Sequence, residues 1–155
     1  MSLSEEVELL RSMSLFQNVE PSKLKLLAFT SERLTFAPEQ QIVSQGDMGD
    51  SAYIVVSGEA EVIINAPDGP LVVATLKKNA VVGEIAILCD VPRTATVVAK
   101  TEVETLKITK DLFFRLITEF PTMAVEIMRD LAVRLHHTNQ QLAEVNRKLS
   151  EPDED

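Results

Sequence analysis

Residues 83–97 read Gly-Glu-Ile-Ala-Ile-Leu-Cys-Asp-Val-Pro-Arg-Thr-Ala-Thr-Val, and their types and spacing suit the capture of a small anion. Gly83, Glu84, Ile85 and Ala86 open a predicted short helix. The free backbone N–H groups of a helix N-terminus hold negative charge. Arg93, ten residues after Gly83 at the mouth of a β-branched run, can clamp the same anion with two parallel hydrogen bonds. A carboxylate beside an anion would repel it, so Glu84 is read as an acceptor for a neighbouring hydroxyl. The chemistry expected is therefore recognition of a small ligand that carries one negative charge and an adjacent hydroxyl group.

The same stretch resembles the phosphate-binding cassette of the cyclic nucleotide-binding domain family. That pattern is roughly Phe-Gly-Glu-x-Ala-Leu, a short loop, then Pro-Arg-x-Ala-x-Val. Here Val82 stands where phenylalanine is usual, and Asp90 and Val91 fill the loop. Two further marks of the family lie upstream, Gln45 to Tyr53 (Gln-Gly-Asp-Met-Gly-Asp-Ser-Ala-Tyr) and Ser57 to Val62 (Ser-Gly-Glu-Ala-Glu-Val). The resemblance covers about residues 15–149 and implies a cyclic phosphate at Gly83–Ala86 and Arg93, with the ribose 2′-hydroxyl on Glu84. It also aligns Val62 and Val73 with strand positions that flank base and sugar, although either valine reads equally well as core.

Bulk properties set the frame for these residues. A chain of 155 residues, 45% of them hydrophobic, is long enough for one domain with a real core. A single cysteine, Cys89, forbids an internal disulfide and fits a reducing cytoplasm; in the cassette loop it reads as a space-filler. The formal charge of −9 argues against direct binding of nucleic acid, which needs clustered Lys and Arg. There is no signal-peptide pattern, and no apolar run approaches a membrane span.

The elements expected to position the cassette follow from periodicity and punctuation. Ser4 is read as the N-cap of a first helix with Val7, Leu10 and Met13 on one face, and Pro21 as the first residue of a second with Leu24, Leu27 and Ala28 inward. From Arg33 to Thr109 the chain breaks into short runs rich in Val, Ile and Thr, near 33–36, 41–44, 52–57, 60–65, 71–76, 80–82, 94–99 and 103–109. Turn residues at 47–50 and 66–70 separate them. The expected fold is mainly β with flanking helices. It is an eight-stranded jelly-roll β-sandwich with N-terminal helices, a short cassette helix and a long C-terminal helix. Thr109 is the expected N-cap of a helix with Phe113, Leu116 and Ile117 on one face, and Pro121 opens the last helix. The domain is assigned to 1–149 (roll about 33–109, C-terminal helices about 110–149) and 150–155 to an acidic disordered tail.

In the last helix, Met128, Leu131, Leu135, Thr138, Leu142, Val145 and Leu149 follow one another in steps of 3, 4, 3, 4, 3 and 4, a heptad seam. Met128 and Leu131 are expected to pack on the roll. Beyond Leu135 a roll of this size cannot cover the helix, so a parallel homodimer is expected. The segment Arg134 to Asn139 also resembles the dimer helix of the catabolite-activator branch of the family. There a threonine and the next polar residue, from opposite subunits, reach the adenine amino group. Carried over, these are Thr138 and Asn139, with Arg134 near Glu84 and the phosphate. Thr138 reads equally well as a seam residue that fixes register, and Arg134 as an exposed arginine.

The expected function is a stand-alone cyclic nucleotide sensor that signals through its C-terminal helix to an effector protein. The alternatives are the ligand-binding part of a truncated transcription regulator, since no helix-turn-helix follows the seam, or a partner-binding β-roll without ligand. An enzyme is not expected. His136 and His137 are adjacent on a helix, where side chains diverge by about 100°, so they cannot chelate one ion together, and no nucleophile–base pairing is evident. The ligand is read as cAMP rather than cGMP from the activator resemblance. Thr94, however, lies where cGMP-responsive members often carry threonine, and Asn139 suits either base.

Overall fold

The computed structural model describes residues 3–17 and 19–150. Three short helical segments lead the chain: α1 (Leu3–Arg11), a 3-10 turn (Ser14–Phe16) and α2 (Pro21–Thr30). Eight strands follow: β1 (Glu32–Phe36), β2 (Gln41–Val43), β3 (Ser51–Ser57), β4 (Ala60–Ala66), β5 (Gly69–Leu76), β6 (Val81–Val82), β7 (Thr96–Ala99) and β8 (Val103–Thr109). The helix α3 (Glu84–Cys89) interrupts them between β6 and β7, and α4 (Lys110–Glu119) and α5 (Pro121–Ser150) close the described chain. The strands form two antiparallel four-stranded sheets, ordered β1-β8-β3-β6 and β2-β7-β4-β5. This is the eight-stranded roll expected from the turn spacing.

Alternation along β3 explains why its run is apolar throughout. Val55 and Tyr53 point between the sheets, where Val55 joins Phe36, Ile42, Val82, Val97 and Val103. Ala52, Ile54 and Val56 point to the opposite face. There they meet the helical layer: Leu10, Phe16, Leu24 and Leu27 from the N-terminus and Phe113, Leu116, Met123 and Ile127 from α4 and α5. The strand is covered on both faces, so polar alternation is absent. β6 splits the same way, Val81 to the helical layer and Val82 to the inter-sheet core.

Thr109 caps α4 by accepting a hydrogen bond from the Leu112 amide at 3.2 Å, and Pro121 begins α5. Ser4 is not a cap. The helix already begins at Leu3, because Leu3, Val7 and Leu10 complete an apolar face against the core. Ser150 is the last residue of α5, so its placement in the tail is corrected; 151–155 lie outside the described residues. Met128 does not pack on the roll. It is 60% exposed, because the buried stripe of α5 runs through Met123, Ile127 and, partly buried, Leu131. Met128 sits one step, about 100°, from Ile127 around the helix. Leu135, Leu142, Val145 and Leu149 are 51–79% exposed.

Candidate functional site

The short helix α3 begins directly after β6, and the change of direction is made by Gly83, whose φ of +87° is left-handed. Only glycine takes that conformation without steric penalty. The turn buries the next side chain, Glu84, to 2% exposure at the start of a helix whose first N–H groups lack intrahelical acceptors. Ala86 and Ile87 are buried beside it, and Ile85 is half-exposed.

Arg93 is positioned from two sides. Its main chain is held by the 44–47 turn: the Arg93 amide donates to Asp47 O at 2.8 Å, and the Gly46 amide donates to Arg93 O at 2.9 Å. Its side chain reaches the start of β3 and the β6–α3 turn, where Nη2 donates to Ser51 O at 2.8 Å and Nη1 to Gly83 O at 3.2 Å. The residue is 7% exposed, yet among the described residues it forms no ion pair. A buried guanidinium facing only carbonyl dipoles is a charge in want of an anion.

Glu84 has a partner from a distant part of the chain. Arg134 of α5 donates from Nη1 to Glu84 Oε1 at 3.2 Å, and from Nη2 to Val81 O at 3.3 Å and to Asp130 one turn earlier. This arginine pins α5 across the cassette. Burial raises the Glu84 carboxyl above the ordinary glutamate range, and the charge of Arg134 opposes the rise. The folded protein therefore holds that proton more tightly than the unfolded chain does. The contribution of Glu84 to stability is fully present below the ordinary carboxylate pKa and is lost as pH rises through the raised value. Urea unfolding between about pH 4 and about pH 8 should show wild type losing stability relative to Glu84→Gln as pH rises. Parallel profiles would show that burial does not govern this carboxyl.

Two adjoining cavities bring the candidate residues together. A small one of about 60 Å³ is lined by Gly83, Glu84, Ala86 and Arg93, among others. A larger one of about 790 Å³ takes in Val73, His137 and Thr138. Val62, Ile85, Thr94 and Arg134 belong to both walls. The larger volume falls within the range of about 300–1,000 Å³ usual for small-molecule sites. Thr94 is exposed because β7 begins only at Thr96. The Thr138 hydroxyl donates to Arg134 O at 3.0 Å, which leaves its lone pairs free to accept. Asn139 lines neither cavity; it is a step around the helix from Thr138 and is not brought to the site within one chain. Among the described residues, no group of three His, Cys, Asp or Glu could hold a metal ion, and no helix is long and apolar enough to cross a membrane.

Sequence reasoning missed Gly49 and Ser51, which help to seat the Arg93 guanidinium. It also missed the role of the 44–47 turn. The signal was present in the Gly-Asp pattern at 46–50, but nothing in that pattern says which side chain it faces.

Residues 33–120 match the family model described as cyclic nucleotide-binding domain. The chain is 31% identical over 139 residues to a CRP-like cAMP-activated global transcriptional regulator of Mycobacterium tuberculosis, across 89% of this chain and 62% of the regulator. It is 35% identical over 108 residues to a cAMP-dependent protein kinase regulatory subunit of Aspergillus niger, across 70% of this chain and 26% of that subunit. Among solved structures, the Thermus thermophilus catabolite activator protein superposes with a TM-score of 0.71 at 26% identity, over 85% of this chain and 62% of that one. The chain thus spans less than two thirds of the length of these relatives.

Proposed function

The chain belongs to the cyclic nucleotide-binding domain family, and from that premise we propose that it is a cAMP sensor, a regulatory domain without catalysis of its own. The observation that carries the reading is Arg93, a buried cation with no carboxylate partner among the described residues, in the wall of the small cavity that adjoins the ligand-sized one. The cyclic phosphate binds between Arg93 and the first-turn amides of α3, at Glu84, Ile85 and Ala86. The ribose 2′-hydroxyl donates to Glu84. The base enters the larger cavity between Val62, Val73 and Thr138, with Thr94 at the junction.

The choice of adenine rests on hydrogen-bond polarity. Thr138 already uses its hydrogen on Arg134 O, so what it offers a ligand is an acceptor. Adenine presents an amino donor there, and guanine a carbonyl acceptor. Asn139 of a second copy completes the base contact in a parallel homodimer, whose seam is the exposed row Met128, Leu135, Leu142, Val145 and Leu149. Ligand binding shifts the position that Arg134 already gives α5 across the cavity, and the altered helix is read by an effector protein. A ligand moves this helix only by its differential affinity for the two positions. The single exposed cysteine, Cys89, fits a reducing compartment, and we assign the sensor to the cytoplasm. A second reading, the ligand-binding part of a longer regulator, is favoured by the 62% coverage of the mycobacterial relative. The pocket chemistry is the same in both.

The test is calorimetry with cAMP, cGMP and 2′-deoxy-cAMP. Wild type should prefer cAMP and should bind the deoxy analogue about 1.5–3 kcal/mol more weakly, since that hydroxyl makes a charge-assisted bond. In Glu84→Gln the deoxy penalty should shrink. An equal penalty in both proteins would remove Glu84 from the sugar contact, and absence of binding to any cyclic nucleotide would overturn the reading.

A further inference from the structure

The geometry points to Gly49 as a positioning residue for Arg93, an inference that rests on the cAMP reading above. A Cβ built on Gly49 would overlap Arg93 Cζ, Nε and Nη2, and one built on Gly83 would overlap Arg93 Nη1. The guanidinium therefore lies in a slot with a glycine on either side, from which it reaches Ser51 O and Gly83 O. The two glycines are not equivalent. Gly83 needs its left-handed backbone, and its Cβ would also come to 3.3 Å from Ser51 O. Gly49 has no positive φ, and the three nearest atoms a Cβ would meet are all at the end of one long side chain. Nothing in the backbone requires glycine at 49; the Arg93 guanidinium does.

This separates binding from folding. With alanine at 49, Arg93 can swing away and the fold closes, but the two carbonyl hydrogen bonds that aim the fork are lost. A planar bidentate donor cannot hold an anion from a displaced position. Gly49→Ala is thus expected to weaken cAMP binding at least about tenfold, roughly 1.4 kcal/mol.

The test is a double-mutant cycle on the full chain with wild type, Gly49→Ala, Arg93→Ala and the double variant. It is read by calorimetry with cAMP and, without ligand, by thermal unfolding. In wild type Gly49→Ala should lower Tm. In the Arg93→Ala background, where the slot holds no guanidinium, the same change should leave Tm unaltered or raise it. If Gly49→Ala does not fold but the double variant does, the slot is supported. If neither folds, or if Tm falls equally in both backgrounds, glycine serves the loop and not Arg93. Binding by Gly49→Ala within threefold of wild type, while Arg93→Ala binds far more weakly, would refute the role of Gly49 and leave the cAMP reading intact. Equal binding by wild type and Arg93→Ala would overturn that reading, while the unfolding cycle would still report on the slot.

Discussion

Arg93→Ala should bind cAMP about thirtyfold to several-thousandfold more weakly than wild type, with the ligand-free fold nearly unchanged. Truncating one partner of a desolvated charge pair typically costs about 2–5 kcal/mol, which gives that range. The fold should tolerate the change, because Arg93 closes no ion pair among the described residues and its acceptors are backbone carbonyls. Gly83 O also keeps the Ile87 amide at 3.4 Å. Removal of a buried guanidinium also removes the cost of desolvating it. Calorimetry and thermal unfolding on the same preparation would separate the two effects. A loss of affinity below about threefold, under 1 kcal/mol, would mean that the phosphate is held elsewhere.

The second large effect concerns assembly. Glutamate at both Leu135 and Leu142 should convert the proposed homodimer into a monomer at any practical concentration. These leucines are 61% and 58% exposed on one chain, about two and about four turns after Met128 in a row that continues at Val145 and Leu149. Burying a leucine contributes about 1.5–3 kcal/mol, and the double variant removes two from each copy before like-charge repulsion is counted. A loss of about 6 kcal/mol or more corresponds to at least about four powers of ten in the dissociation constant. The substitutions leave Arg134 and Thr138 in place, so phosphate and ribose contacts should persist while the preference for adenine weakens with the departure of the second copy's Asn139. Sedimentation would report the first change and calorimetry with cAMP and cGMP the second. Retained dimerisation would show that the seam is a solvated face and that the copies, if they meet, do so elsewhere.

Local signals made most of this architecture legible. The runs of Val, Ile and Thr located all eight strands within a few residues, since each is bounded by turn residues that cannot continue a ladder, and Pro21, Thr109 and Pro121 marked helix starts for stereochemical reasons that need no tertiary context. Met128 escaped because a seam in steps of 3 and 4 and a buried stripe in steps of 4 meet at Leu131 on one helix. The sequence contains both, and only packing shows that Ile127 takes the inward place. The cassette residues were readable as a set, Gly83, Glu84 and Arg93 above all. What holds them was not. The Ser51 carbonyl and the missing Cβ of Gly49 are features of backbone, contributed more than thirty residues before the cassette, and no side-chain pattern advertises them.

The two cavities draw their walls from different stretches of the chain. The hydrogen bonds of Arg93 and every wall of the small cavity except Arg134 come from residues 43–97, whereas the α5 side of the larger cavity comes from residues 126–141. On the proposed reading the anion seat is built from one contiguous stretch of chain, and the wall assigned to the base lies on a separate stretch that also bears the exposed apolar row. On that reading, substitutions in α5 beyond Arg134 would alter base preference and mating surface together while the anion seat, whose other walls come from residues 43–97, is left in place.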